Sequence, residues 1–163
     1  MSKDETLGEA LRRQGLTRRG FMKFCAATAS LMALPPGMAP VIAAALEKAM
    51  RPSVIWLSFQ ECTGCTESLT RSHSPTVEGL IFDSISLDYH HTLQAAAGSA
   101  AEAAREAAME EHYGKYILIV DGSIPTENAG YSTIAGISNL DMLKETAKGA
   151  AAIIAMGTCA AYG

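Results

Sequence analysis

Beyond residue 45 the sequence is short of positive charge. Seven Lys and Arg stand there against fourteen Asp and Glu, a net of −7, whereas residues 1–45 carry six basic and three acidic residues, net +3. A nucleic-acid partner needs a basic footprint to neutralise phosphates, so the acidic body excludes that class. A membrane-spanning run is also lacking. The uncharged stretch Phe24–Leu34 has eleven residues, where a bilayer takes about 20. There is no internal repeat, no phosphate-cradling glycine loop and no nucleophile beside a general base. The one biased tract is the alanine-rich segment between Asp88 and Tyr113. Cysteine is scarce, with four in 163 residues: Cys25, Cys62, Cys65 and Cys159. An even count in an exported chain can signal two disulfides. Here Cys25 falls in a segment that reads as removable, which leaves three.

What is present is enough for about one domain, with 48% hydrophobic residues to build a core. A basic leader before an acidic body is the asymmetry of a targeting segment. Thr17-Arg18-Arg19-Gly20-Phe21-Met22-Lys23 matches the twin-arginine export pattern. The apolar run to Leu34 follows, then the Pro35-Pro36 breaker and the small residues Ala43-Ala44-Ala45. That order is the order of a signal peptide, with cleavage expected after Ala45. Residues 1–45 are therefore read as leader and 46–163 as the mature domain. This route resembles the one taken by proteins exported already folded, often with a cofactor inserted beforehand.

In the body, Ser53 to Phe59 is an apolar, β-branched run that predicts a buried strand. Gln60 to Gly64 reads as a loop and Thr66 to Arg71 as a helix start. Ser74-Pro75-Thr76 predicts a second helix with Pro at its first position. A second strand is expected within Leu80–Leu87, centred on Ile85-Ser86-Leu87 with residues upstream of it. Asp88 to Tyr113 is expected to be helical, broken near Gly98. Tyr116 to Val120 is a third strand and Asp121 to Pro125 a loop. Asn139 to Lys148 is a helix capped by Asn139, and Ala151 to Met156 is a fourth strand. Strands alternating with helices predict a flavodoxin-like, doubly wound parallel sheet with helices on both faces. In such sheets ligands sit outside the carboxyl ends of the strands. Cys62 and Cys65 follow the first strand and Cys159 the fourth, so the topology draws all three toward one edge.

A C-x-x-C pair points two thiolates at one centre, and thiolates suit zinc and iron–sulfur clusters. A helix beginning just after the loop is expected to favour thiolate through its dipole, and Gly64 leaves its N–H free to approach cluster sulfur. Four readings stay open on spacing alone. One is an iron–sulfur site. Another is a thioredoxin-like thiol–disulfide oxidoreductase using Cys62 and Cys65. The third is a zinc site, which needs a fourth ligand. In the last, Cys159 is a small buried apolar residue. Of the remaining candidates, Glu67 reads as a solvated carboxylate and Trp56 as core. His90 and His91, read as helical, point apart and form no ligand pair. His73 and His112 are expected at the surface.

Glu61-Cys62-Thr63-Gly64-Cys65-Thr66-Glu67-Ser68 resembles the N-terminal cluster motif of nickel–iron hydrogenase small subunits. So do Ile85-Ser86-Leu87-Asp88-Tyr89-His90 with Ala95-Ala96-Ala97-Gly98, then Asp121-Gly122-Ser123-Ile124-Pro125, and finally Gly157-Thr158-Cys159-Ala160-Ala161-Tyr162-Gly163. The resemblance covers nearly the whole chain in order, leader included. It implies a hydrogenase subunit that relays electrons between a nickel–iron centre in a separate large subunit and an acceptor such as a cytochrome. It also implies that Cys62, Cys65 and Cys159 are metal ligands of a proximal [4Fe–4S] cluster. The fourth ligand is then expected in a Gly-Cys-Pro-Pro-like segment beyond Gly163, together with further clusters, as if the sequence were an N-terminal fragment. Cys25 is no substitute if the leader is removed. Glu61 is placed by the same resemblance at a subunit contact. The implied location is the periplasm, with membrane association left to a C-terminal region or a partner. Oxygen-tolerant members carry two extra cysteines, at positions aligned here with Gly64 and Thr133, which implies a standard cubane and an oxygen-sensitive enzyme. The related iron–sulfur subunits of respiratory quinone reductases share the fold but typically have adjacent cysteines and no such leader.

Overall fold

The computed structural model describes residues 6–13, 15–35 and 37–163. Lys3, Asp4 and Glu5 of the leader's charge count, and Pro36 of its breaker pair, lie outside the described residues. Contacts divide the described residues into two compact units, one holding those up to Arg51 with Phe82–Ser84, the other Pro52–Ile81 with Ile85–Gly163.

The first unit is helical, with α1 (Leu7–Arg13), α2 (Arg18–Leu31) and α3 (Met38–Lys48). The Arg18–Lys23 part of the twin-arginine-like segment is built into α2. Thr17 is its N-cap and accepts the Gly20 N–H at 3.2 Å, so the two arginines are the first helical residues. Phe21, Cys25 and Ala29 recur at i, i+4 and i+8, which lines them up on one face. All three are buried, and Phe21 and Cys25 pack with Ala43 of α3. Arg12 pairs with Glu47, and Arg13 with Asp83. Ala45, the expected cleavage point, falls inside α3. Among the described residues no helix is long and apolar enough to cross a membrane.

The second unit is built from β1 (Ser53–Ser58), α4 (Gly64–Thr70), the single turn α5 (Val77–Gly79) and β2 (Ser86–His90). It continues through α6 (Ser99–Glu111), β3 (Tyr116–Asp121), β4 (Thr133–Ile134) and β5 (Ile137–Ser138). Last come α7 (Asn139–Ala147), β6 (Ala150–Met156) and α8 (Gly157–Tyr162). Four strands form a parallel sheet in the order β2-β1-β3-β6. This is the flavodoxin-like arrangement expected from the alternation of elements. Each residue of the central strand β1 is buried. Because side chains alternate, Ile55 and Leu57 join the core with Ala101 and Ala108 of α6 and Met142 of α7. Val54 and Trp56 pack on the opposite face with Ile119 and Leu69 of α4. The edge strand β6 leaves Ile153 and Ile154 exposed.

A charged cluster sits inside the first of these cores. Arg105 of α6 is fully buried; its Nε donates to Glu102 at 3.0 Å and its Nη1 to Thr146 Oγ1 of α7 at 3.2 Å. Glu102 also accepts from the Tyr89 hydroxyl at 2.7 Å, tying α6 to β2. A guanidinium tolerates such a place only when paired and hydrogen-bonded.

Local boundaries depart from the sequence reading in five places. Gly64 and Cys65 belong to α4, not to a loop. Pro75 does not open a helix: it precedes Thr76, whose hydroxyl caps α5 by accepting the Gly79 N–H. Leu80–Ser84 is a π-helical turn, so β2 extends downstream of Ile85. Asp88, Tyr89 and His90 are therefore strand, with Tyr89 and His90 paired to β1 and Asp88 at an irregularity in the register, and the helix begins only after Gly98. Asn139 does not cap α7; Ser138 does, accepting the Asp141 N–H at 3.1 Å. The antiparallel pair β4–β5 had no signal in the alternation pattern, being two residues long on each side.

Candidate metal centre at the carboxyl edge of the sheet

Strand register sets the geometry of the site. Ser58 of β1 is opposite Asp121 of β3, and Asp121 is opposite Met156 of β6, so the carboxyl ends of three adjacent strands lie side by side. The chain leaves β1 toward Cys62 and leaves β6 toward Cys159, with Asp121 between the two exits.

Cys62 is exposed and precedes α4, Cys65 is half-buried in the first turn of α4, and Cys159 is exposed in the first turn of α8. The turn between the first two is sharp. Thr63 takes the left-handed conformation, with φ 64°, and its N–H donates to the Glu61 carboxylate. A β-branched residue there is a genuine outlier. Two glycines make room for the sulfurs. A side-chain carbon on Gly64 would stand 3.1 Å from Cys62 Sγ, and one on Gly157 only 2.4 Å from Cys65 Sγ. Gly157, two residues before Cys159, thus abuts Cys65 across the edge. A third glycine locks the loops. Gly122, with φ +87°, lies so close that an added carbon would meet the Gln60 backbone at 2.7 Å, and Gln60 and Ser123 exchange backbone bonds of 3.2 and 2.9 Å.

Asp121 is the buried charge at this edge. It is 1% exposed and its Oδ2 has no hydrogen-bond partner among the described residues. Burial, followed by the neighbouring Asp121 carboxylate, pushes the Cys65 thiol pKa up. Burial and a nearby negative charge oppose the dipole effect expected from the seven-residue α4. Burial likewise raises the Glu61 pKa, with Asp121 adding to it. A bound cation would reverse this balance, since metal is the largest local charge in such a site and deprotonates a ligating thiol.

Among the described residues no three His, Cys, Asp or Glu are grouped to hold a single metal ion. An iron–sulfur cluster is held differently, by cysteine thiolates distributed around it. Soft sulfur donors from the segments that follow β1 and β6, a glycine against each of two sulfurs and a buried carboxylate with one oxygen unpartnered among the described residues fit such a group. Glu67 is exposed and pairs with Arg71 at 2.7 Å, as a solvated carboxylate should. Thr133, on β4, is exposed and opposite Ser138. His73 is exposed, and His112 is partly so, 3.7 Å from Asp88. His90 and His91 are not on a helix. His90 ends β2, buried against Trp56 at 4.7 Å between ring centroids, and His91 follows in a turn. Asp121, Gly157 and Gly122 carry the geometry of the site and were not singled out by composition or spacing. An acidic residue closing an apolar strand just before a glycine was the available signal.

Residues 62–163 match the family described as NADH ubiquinone oxidoreductase, 20 Kd subunit. The Hydrogenase-2 small chain of Escherichia coli K12 is 47% identical over all of this chain and 43% of its own length. The periplasmic [NiFe] hydrogenase small subunit of Solidesulfovibrio fructosivorans is 49% identical over 91% of this chain and 48% of its own length. Among solved structures, the Ni-Fe-Se hydrogenase of Desulfomicrobium baculatum superposes with a TM-score of 0.67 and 34% identity, over 69% of this chain and 44% of that one. The chain spans less than half the length of the curated relatives it matches.

Proposed function

The chain belongs to the family of the NADH ubiquinone oxidoreductase 20 Kd subunit, alongside the nickel–iron hydrogenase small subunits, and from that premise we propose that it is the electron-transfer subunit of a hydrogenase. In this reading Cys62, Cys65 and Cys159 hold a proximal [4Fe–4S] cluster. The bound cluster would supply a relay for electrons from hydrogen oxidation at the nickel–iron centre of a large subunit to an acceptor such as a cytochrome. Residues 1–45 direct twin-arginine export to the periplasm, and membrane association rests with a partner or a further region. The observation that carries the reading is the convergence at one sheet edge. Cys65 is packed against Gly157, and Cys159 follows two residues later in the same turn, although the two cysteines are far apart in sequence.

When bound, the cluster supplies a one-electron carrier whose potential is set by hydrogen bonds, net charge and exposure. The chain's own residues place and tune it. Gly64 and Gly157 keep side-chain carbon away from the two sulfurs, and Gly122 fixes the loop after β1 against the loop after β3. Asp121 contributes a buried negative charge beside Cys65, which opposes adding an electron nearby. Burial and Asp121 favour the protonated Cys65 thiol, and a bound metal would favour the thiolate instead.

The test is the purified complex with its large subunit. Broad visible absorbance that bleaches reversibly on reduction, and that collapses together with iron content in Cys65→Ser, is the expected result. A wild-type protein without iron, whose Cys62 and Cys65 cycle between dithiol and disulfide, would overturn it in favour of a thiol–disulfide oxidoreductase.

A further inference from the structure

In a parallel sheet the backbone N–H groups of one strand point alternately to its two neighbours. At the end of β1, Phe59 N donates to Asp121 O at 2.8 Å on the β3 side. Ser58 N therefore faces the β2 side. There the ladder has already ended, because Trp56 is opposite His90, the last residue of β2. A buried N–H left unpaired costs about 1–3 kcal/mol. It is not left unpaired: His91 Nδ1 accepts it at 2.8 Å. The imidazole stands where the next strand carbonyl would have been.

The chain that runs on to Cys62 is thus held from two sides. On the β3 side the hold is backbone, through Phe59–Asp121 and the two Gln60–Ser123 bonds. On the β2 side it is a side chain. We propose that His91 is a positioning residue of the cysteine site: by accepting the Ser58 N–H it fixes the direction in which the Gln60–Cys65 segment leaves the sheet. This rests on the electron-transfer reading given above.

The ring is itself fixed. It meets Tyr89 edge-on, with centroids 5.1 Å apart and planes at 77°, and lies 6.4 Å from the Phe59 ring. Tyr89 is held by Glu102, and Glu102 by buried Arg105. Burial pushes the His91 pKa below its ordinary value, which keeps the imidazole neutral and Nδ1 available as an acceptor near pH 7. The proton is then on Nε2, which has no acceptor among the described residues.

The experiment compares wild type, His91→Leu, His91→Asn and His91→Gln in the full complex. It measures the midpoint potential of the proximal cluster and, separately, thermal stability. Asn places an oxygen near the position of Nδ1, Leu offers no acceptor, and Gln carries its oxygen one bond too far. The expected result is a potential shifted beyond replicate scatter in His91→Leu and His91→Gln, and restored to the wild-type value in His91→Asn. Equal potentials in all four proteins, or equal shifts in Asn and Leu, would overturn the proposal even if stability falls. If His91→Leu does not assemble, the contrast between Asn and Gln carries the test. A wild-type complex without any cluster would instead overturn the electron-transfer reading on which this one depends.

Discussion

Cys65 and Gly157 are in a contact that admits no side chain: a carbon added to Gly157 would stand 2.4 Å from the Cys65 sulfur. Gly157 also has φ +77°, which glycine adopts without strain. Gly157→Ala is therefore doubly disfavoured, by the clash and by the conformation. A loss of about 1–3 kcal/mol in stability is expected. Iron content per polypeptide should fall with it, because relief of the clash moves either Cys65 or the turn carrying Cys159. Denaturant titration and iron analysis of the complex check both.

Thr63 is strained between the two cysteines, with φ 64° at the cap of α4. Left-handed backbone costs an L-residue about 1–2 kcal/mol, against an entropic cost for glycine of about 0.5–1 kcal/mol. Thr63→Gly should raise stability by roughly the difference, up to about 1.5 kcal/mol. A lower urea midpoint for the variant would show that the Thr63 side chain contributes more than its conformation costs.

His90 ties the pH dependence of stability to the end of β2. It is 1% exposed, its Nδ1 accepts from Thr92 N at 3.0 Å, and burial lowers its pKa from 6.5 to about 4. A base with a depressed folded pKa takes up its proton on unfolding. Its contribution is thus complete above pH 6.5 and is lost as the pH falls from there toward 4. The contribution is on the order of 2–3 kcal/mol. His90→Asn keeps an acceptor for the turn and removes the titration. Its stability should change less with pH across that window, as followed by denaturant midpoints at a series of pH values.

The leader offers a test in cells. In the proposed route, Arg18 and Arg19 open α2 behind the Thr17 cap. Replacing both with Lys preserves charge and helix propensity, yet should hold the protein inside the cell. The exported wild-type protein should begin just after Ala45 by N-terminal sequencing. Equal export of the double variant would remove the twin-arginine assignment.

Much of the architecture was legible in the sequence because each element carried its own period. The apolar runs from Ser53, Tyr116 and Ala151 became β1, β3 and β6, and their alternation with helical stretches was enough for a parallel sheet with all three cysteines at its carboxyl edge. Where the reading slipped, tertiary pairing outweighed local pattern. Asp88–His90 precedes an alanine-rich run and reads as helix, yet β1 draws it into the sheet. Pro75 reads as a helix opener, yet it is Thr76, one residue later, whose hydroxyl caps the turn by accepting the Gly79 N–H.

The cysteines, their spacing and the strands they follow are properties of the sequence, since they depend on residue type and on local periodicity. The fine structure of the site is not. That Gly157 faces Cys65, that Asp121 is buried between two chain exits, and that His91 completes the ladder of β1 are all contacts between segments distant along the chain. Such contacts depend on strand order and register, which no local pattern encodes, and only the folded sheet decides them.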